Sequence, residues 1–184
     1  AHCVFGSNPR EHRYRVSEGG AVVTHIKDAE DIERMYRGAI ADGAGCTPMT
    51  SGVHFWELEH VKHGDSSEWM FGVCRPGIDL NDGKDFEARD DTWLMEQYNG
   101  PDWYLRCNTC AGTGMTLRPA PDMPAGSRIG LLLDLDNGGT LTMYWDNKPC
   151  GTIATGLVGP LLPCISSYYA GKVVKIHGGL APPQ

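Results

Sequence analysis

The stretch LLLDLDNGGTLTMYWDNKPCG, Leu131 to Gly151, decides how the rest of the chain is read. Its DLDNGG centre resembles the start of a helix-flanked calcium loop, which needs oxygen ligands at alternate positions, glycine at the sixth and a bidentate glutamate at the twelfth. Counting from Asp134, the fifth position is Gly138, without a ligand side chain, and the twelfth is Trp145. The flanks do not read as helix either: Leu141, Met143 and Trp145 alternate and so share one face of a strand. Asn-Gly-Gly supplies residues that tolerate positive φ, and DNK makes a second reversal into PCGTIA. The stretch is therefore a meander of three antiparallel strands with an apolar core face, and its aspartates serve turns.

The pattern extends outward from there. Strands are expected in VHFWELEHV, WMFGVCR, TWLMEQY, WYLRC, SRIGLLLDLD, LLPCISSYY and KVVKIHG, separated by turn signals such as TSG, HGD and NGPD. The prolines of the tail, GGLAPPQ, end the last strand. One helix is expected, in DAEDIERMYR, with Asp28 as cap and Ile32, Met35 and Tyr36 on one face. Many short strands without a fixed period indicate an all-β sandwich or barrel and not a propeller. The 184 residues suit one domain, 1–184, excised from a longer protein.

Net charge is −7, and no basic run or long apolar stretch occurs. That excludes an expected nucleic-acid surface and a helical membrane span. Seven scattered cysteines fit a reducing compartment, the cytoplasm or nucleus.

The chemistry-bearing clusters are incomplete. CNTC, Cys107 to Cys110, lacks the second pair a structural zinc needs, and AGTGM after it is a poor helix start for a redox motif. His60 and His63 are expected as solvated residues at a strand end, on opposite sides of the strand. No nucleophile elbow supports a triad through His54 and Asp134, and no phosphate loop is present. The acidic run KDFEARDD reads as a solvated loop, or as a surface that steers a basic partner. No enzyme, metal or cofactor is expected.

SGVHFWELE, FGVCR, IGLLLDLDNGGTLTMYWDNKPCG and TGLVGPLLPCIS follow one another in the order and spacing of a SPRY domain. The chain resembles that family from about Tyr36 to Gly179, leaving residues 1–35 as an N-terminal extension, and looks nearest to the SPRY domains of SPRY/SOCS-box and F-box-linked ubiquitin-ligase adaptors. The resemblance implies a bent two-sheet antiparallel β-sandwich with a short N-terminal helix. It also implies a non-catalytic, monomeric module that binds a peptide or protein through loops at one edge, as the substrate-recognition part of a ubiquitin-ligase adaptor. The alternative is a structural docking domain in a chromatin or channel-type assembly, without a linear-peptide pocket.

The resemblance also carries candidate partner-binding residues. The adaptor loop R-x-P-x-A matches Arg37, Ala39 and Ala41 in RGAIADG, with Ala39 where the adaptors have proline. Tyr168 and Tyr169 stand at the adaptors' V-W-G, and Phe86 is the one aromatic in the loop that carries their tyrosine. These departures separate the chain from the adaptors' Asn-containing ligand. The plain structural alternatives are that Arg37 closes the helix from Asp28, and that one of the two tyrosines faces the core.

Overall fold

The computed structural model describes residues 3–6, 14–26, 37–64, 68–82, 84–97, 103–106 and 123–184. The expected meander is present as β8 (Arg128–Asp134), β9 (Thr140–Trp145) and β10 (Lys148–Ala154). Leu131 pairs with Met143 and Leu133 with Leu141, so all four side chains enter the core. The first turn is held by Asp134, whose carboxylate accepts the N–H groups of Asp136 and Asn137 at 3.1 and 3.0 Å. It also accepts the Asn137 side-chain amide at 2.8 Å, which with those backbone bonds keeps the Asp134 carboxyl below the usual carboxylate range. Asp136 accepts Gly52 N–H at 2.7 Å, and Asp146 and Asn147 take the positive φ of the second turn. Both aspartates of DLDNGG thus serve the backbone, as the hairpin reading requires.

The other strands are β1 (Tyr14–Ser17), β2 (Val22–His25), β3 (Arg37–Ile40), β4 (Val53–Lys62), β5 (Trp69–Cys74), β6 (Thr92–Gln97), β7 (Trp103–Arg106), β11 (Leu162–Ser167) and β12 (Val173–His177). They form two antiparallel sheets. One has seven strands in the order β1-β2-β12-β4-β8-β9-β10, the other five in the order β3-β11-β5-β6-β7. Trp56, Leu58, Ile129, Leu131, Met143, Val174 and Ile176 from the first meet Trp69, Phe71, Val73, Trp93, Met95 and Ile165 from the second. Period-two alternation explains this division, since the intervening residues point to the other face of each sheet.

The five-stranded sheet carries a second, smaller core on its opposite face. Ile40, Met70, Cys74, Leu94, Leu162 and Cys164 pack there under Phe86, from the loop between β5 and β6. That loop is pinned and not simply solvated. Arg89 is buried, pairs with Asp82 and donates to Asp79 O at 3.0 Å, while Phe86 lies in a short 3-10 turn.

Two expectations change at the N-terminal end. The helix expected from Asp28 lies outside the described residues up to Tyr36, and Arg37 opens β3 instead of closing a helix. Residues set aside as an extension supply β1 and β2, which complete the seven-stranded sheet against β12. A 3-10 turn, Glu18–Gly20, joins them.

Candidate protein-recognition edge

β3 is an outer strand of its sheet, and its pairing with β11 fixes where the candidate residues fall. Ser167 lies opposite Arg37, Ser166 opposite Gly38 and Ile165 opposite Ala39. Tyr168 and Tyr169 therefore leave β11 at the end where β3 begins. Phe86 reaches the same strand from the other side: a Cβ on Gly38 would lie 2.3 Å from its ring. Two segments distant in sequence converge on β3.

Convergence does not give every residue the expected role. Ala39 and Ala41 face the main core and are buried, and Phe86 is 1% exposed inside the smaller core. Their side chains shape the edge from behind and are not offered to a partner, because small or ring side chains on the inner faces complete the packing. Tyr169 is 37% exposed and Tyr168 half-buried, with rings edge-to-face at 4.8 Å. Neither is a core residue on a regular strand, because β11 ends at Ser167.

The loop bearing the tyrosines passes from the five-stranded sheet to the seven-stranded one and is fixed at both ends. Ser167 N–H donates to Tyr14 Oη at 3.0 Å, and Ser167 Oγ donates to Tyr169 O at 3.0 Å. Gly171 N–H donates to His25 O at 2.7 Å and His25 N–H to Lys172 O at 2.8 Å, while the Tyr14 and His25 rings stack at 4.8 Å. Gly64 allows the β4–β5 connection to approach, since a Cβ there would meet Ala170 O at 2.4 Å. An exposed aromatic on a loop anchored this way is preorganised, so little ordering entropy opposes a contact through it.

Beneath the loop lies a polar cluster that the sequence did not reveal. Lys172 is 2% exposed, with Nζ 3.2 Å from His60 Nε2 and 5.8 Å from the Trp69 ring centroid. Burial pushes its amine down to about 7, against the pull of Glu68. Burial, then the Lys172 and His63 charges, hold His60 at about 3, so it is neutral and accepts from the ammonium. The expectation of two solvated histidines fails here. His60 is fully buried against Trp69 because it faces the core, and His63, one residue beyond β4, folds back to 4.3 Å from it. Trp69 Nε1 donates to Gln97 Oε1 at 3.0 Å and completes the wall.

Two other surface features stand apart from this edge. Arg75 lies 5.3 Å over the Trp93 ring and donates to the carbonyls of Val158 and Pro160, fixing a loop on which Val158 is 68% exposed. On the outer face of the seven-stranded sheet, a cleft of about 490 Å³ is bounded by Phe55, Glu57, Arg128, Asn147 and the tail residues Leu180 and Pro183. Arg128 is committed there to Glu57 at 2.9 Å, and Glu59 to His177 at 2.7 Å. No residue named from the sequence as partner-binding lines this cleft. Among the described residues no three His, Cys, Asp or Glu side chains are placed to hold a metal, and no helix is long and apolar enough to cross a membrane. CNTC lies outside the described residues.

The two-sheet scaffold thus holds an anchored loop with Tyr169 exposed and the Lys172–His60 pair buried beneath it. The profile of the SPRY domain matches residues 53–181, and the chain belongs to the SPRY family, whose domains are non-catalytic protein–protein interaction modules. It is 31% identical to mouse butyrophilin subfamily 1 member A1 over 134 residues, 70% of this chain and 23% of that protein. It is likewise 31% identical to the human E3 ubiquitin-protein ligase TRIM68 over 126 residues, 68% of this chain and 23% of the relative. The chain thus spans about a quarter of the length of these curated relatives. Among solved structures, the SPRY domain of human HERC1 superposes with a TM-score of 0.66 at 20% identity, covering 96% of this chain and 99% of that one. The TRIM65 PSpry domain gives 0.66 at 16% identity, with 96% and 92% covered.

Proposed function

We propose that the chain binds an extended segment of a partner protein at the β3–β11 edge, with Tyr169 and Arg37 as the main anchors and Tyr168 beside them. The observation that supports this reading is the exposed Tyr169 on a loop anchored at both ends, two residues beyond Ser167, which pairs with Arg37 across the β11–β3 register. Tyrosine supplies a large, stiff contact surface with a polar tip, and arginine supplies donors for carbonyl or carboxylate groups. The module acts as a monomer in the cytoplasm or nucleus. In its full-length parent it presents the bound partner for ubiquitination, a role suggested by the relative described as an E3 ubiquitin-protein ligase.

The second reading is a docking domain that engages a large folded surface through the outer face of the seven-stranded sheet. The cleft beside Phe55 and Arg128 favours it. A pull-down with wild-type and Arg37→Ala/Tyr169→Ala protein, compared by mass spectrometry, separates the two. The edge reading predicts partners depleted roughly 10-fold or more by the double substitution, as expected for loss of an anchor. Retention of every partner by the double variant refutes it.

A further inference from the structure

The aspartates of the DLDNGG turn serve the backbone, and its Asn137–Gly138 step carries a chemistry of its own. In an Asn-Gly step the glycine nitrogen can attack the asparagine side-chain carbonyl, because glycine has no Cβ to crowd the five-membered ring that forms. Asn137 and Gly138 are both exposed. Gly138 has a φ of 79°, and no atom outside its chain neighbours lies within 4 Å of a Cβ built on it. The other asparagines among the described residues, Asn81 and Asn147, precede Asp82 and Lys148, whose Cβ atoms hinder the same closure.

Crowding does not protect the Asn137 step; hydrogen bonds do. Asp134 accepts Asn137 N–H at 3.0 Å through Oδ1 and the Asn137 side-chain amide at 2.8 Å through Oδ2. Asparagine backbone and amide are thus tied to a residue on the β8 side, whereas the attacking nitrogen follows Asn137 in the chain. Ring closure requires the side chain to turn to Gly138 N and give up the 2.8 Å bond. Beyond the step, Gly138 O accepts Gly156 N–H and Gly139 O accepts Leu157 N–H, both at 2.9 Å. The turn is therefore tied to a loop that Arg75 holds through the carbonyls of Val158 and Pro160.

We propose that Asn137–Gly138 is a latent modification site, where water converts the asparagine to aspartate or isoaspartate, and that the Asp134 clamp keeps it closed in the folded hairpin. Gly138 N loses its proton to solvent and bonds to Asn137 Cγ, and the Cγ–Nδ2 bond breaks with release of ammonia. Water then opens the cyclic imide at either carbonyl. Opening at Cγ gives aspartate, and opening at the backbone carbonyl gives isoaspartate, whose chain runs through Cγ. The sum is one water consumed and one ammonia released, without oxidation or reduction. Either product removes the amide donor and sets a second carboxylate against Asp134. Isoaspartate also lengthens the backbone just before Gly138 and Gly139, where a Cβ on Gly139 would already lie 1.9 Å from Leu157 O. Modification thereby releases the turn from Gly156 and Leu157.

The test incubates the chain in native buffer and in guanidinium chloride, then follows Asn137, aspartate and isoaspartate by peptide mass spectrometry. Asn99–Gly100, the other Asn-Gly step, supplies the unfolded reference rate in denaturant. Native wild type should lose Asn137 roughly 10-fold or more slowly than the denatured chain, as expected where a hydrogen bond to a charged group must break first. Asp134→Ala should erase most of that protection. Asp136→Ala, which frees Gly52 N–H in the same turn but leaves the clamp, should keep it. Both variants are compared only after tryptophan fluorescence shows them folded. Modified chains should exchange the Gly156 and Leu157 N–H groups faster than unmodified ones. Equal loss of Asn137 in native and denatured wild type overturns the proposal without reference to any variant. So does a folded Asp134→Ala chain that is as slow as wild type, or an Asp136→Ala chain that is as fast as Asp134→Ala. Unchanged exchange at Gly156 and Leu157 overturns the release of the turn.

Discussion

Lys172→Met isolates the contribution of the buried amine beneath the tyrosine loop. Methionine keeps the apolar stem against Trp69 and removes the group facing His60 and Glu68. The fall from 10.5 to about 7 corresponds to a penalty of roughly 5 kcal/mol on the charged form in the native state. An unfolded lysine keeps its proton to about pH 10, whereas the native one releases it near 7, so between these values unfolding takes up a proton. Wild-type stability from this group therefore climbs with pH, by about 1.4 kcal/mol per pH unit, and below 7 the full penalty applies. From about pH 6 to about pH 9 the climb amounts to roughly 2–3 kcal/mol. Groups that do not touch Lys172 cancel in the difference. His60 loses the Lys172 charge in the variant, but burial, the largest cause of its lowered pKa, is kept, and wild-type His60 at about 3 is neutral across this range. Urea unfolding followed by tryptophan fluorescence should show the methionine variant's advantage shrinking by that amount across the range. An advantage constant to within about 0.5 kcal/mol would refute the claim that the amine is buried and loses its charge near neutrality.

The remaining predictions concern packing that holds the edge and the hairpin. Gly139→Ala should destabilise clearly more than Gly138→Ala. Both have positive φ, but a Cβ at Gly139 would also meet Leu157 O at 1.9 Å, while none lies near Gly138. Strain alone amounts to roughly 1–3 kcal/mol, so equal thermal shifts for the two would contradict the turn geometry. Gly38→Ala should cost roughly 1–3 kcal/mol by driving a methyl into the Phe86 ring, and Phe86→Leu in the same chain should recover part of it. Additive losses in the double-mutant cycle would show that the two do not touch. Phe86→Ala alone should cost roughly 3–5 kcal/mol in denaturant unfolding, because it empties the centre of the smaller core.

The sequence announced what is local. Alternation at Leu141, Met143 and Trp145, with turn residues at both ends, was enough for the meander, since the strands it joins are adjacent in the chain. β1, β2 and β3 were not legible because each has four residues and little periodicity. They exist as strands through pairing with β12 and β11 from the far end of the chain. Phe86 and Arg89 stand among acidic residues and read as solvated, yet the first covers Gly38 and the second is pinned by Asp82 and Asp79. Tyr168 and Tyr169 were legible as an aromatic pair near a strand end, but their exposure depended on where β11 stops. The burial of His60 and Lys172 followed from the crossing of a loop between sheets, a juxtaposition with no sequence-local signal.

The central claim is that recognition occurs at the β3–β11 edge. Hydrogen–deuterium exchange on the chain, with and without a partner recovered in the wild-type pull-down, tests it most directly. The account predicts slowed exchange confined to residues 37–41 and 167–172. Protection centred instead on Phe55, Arg128, Asn147 and the tail from Leu180 to Gln184, with the edge unchanged, would contradict it and assign binding to the cleft.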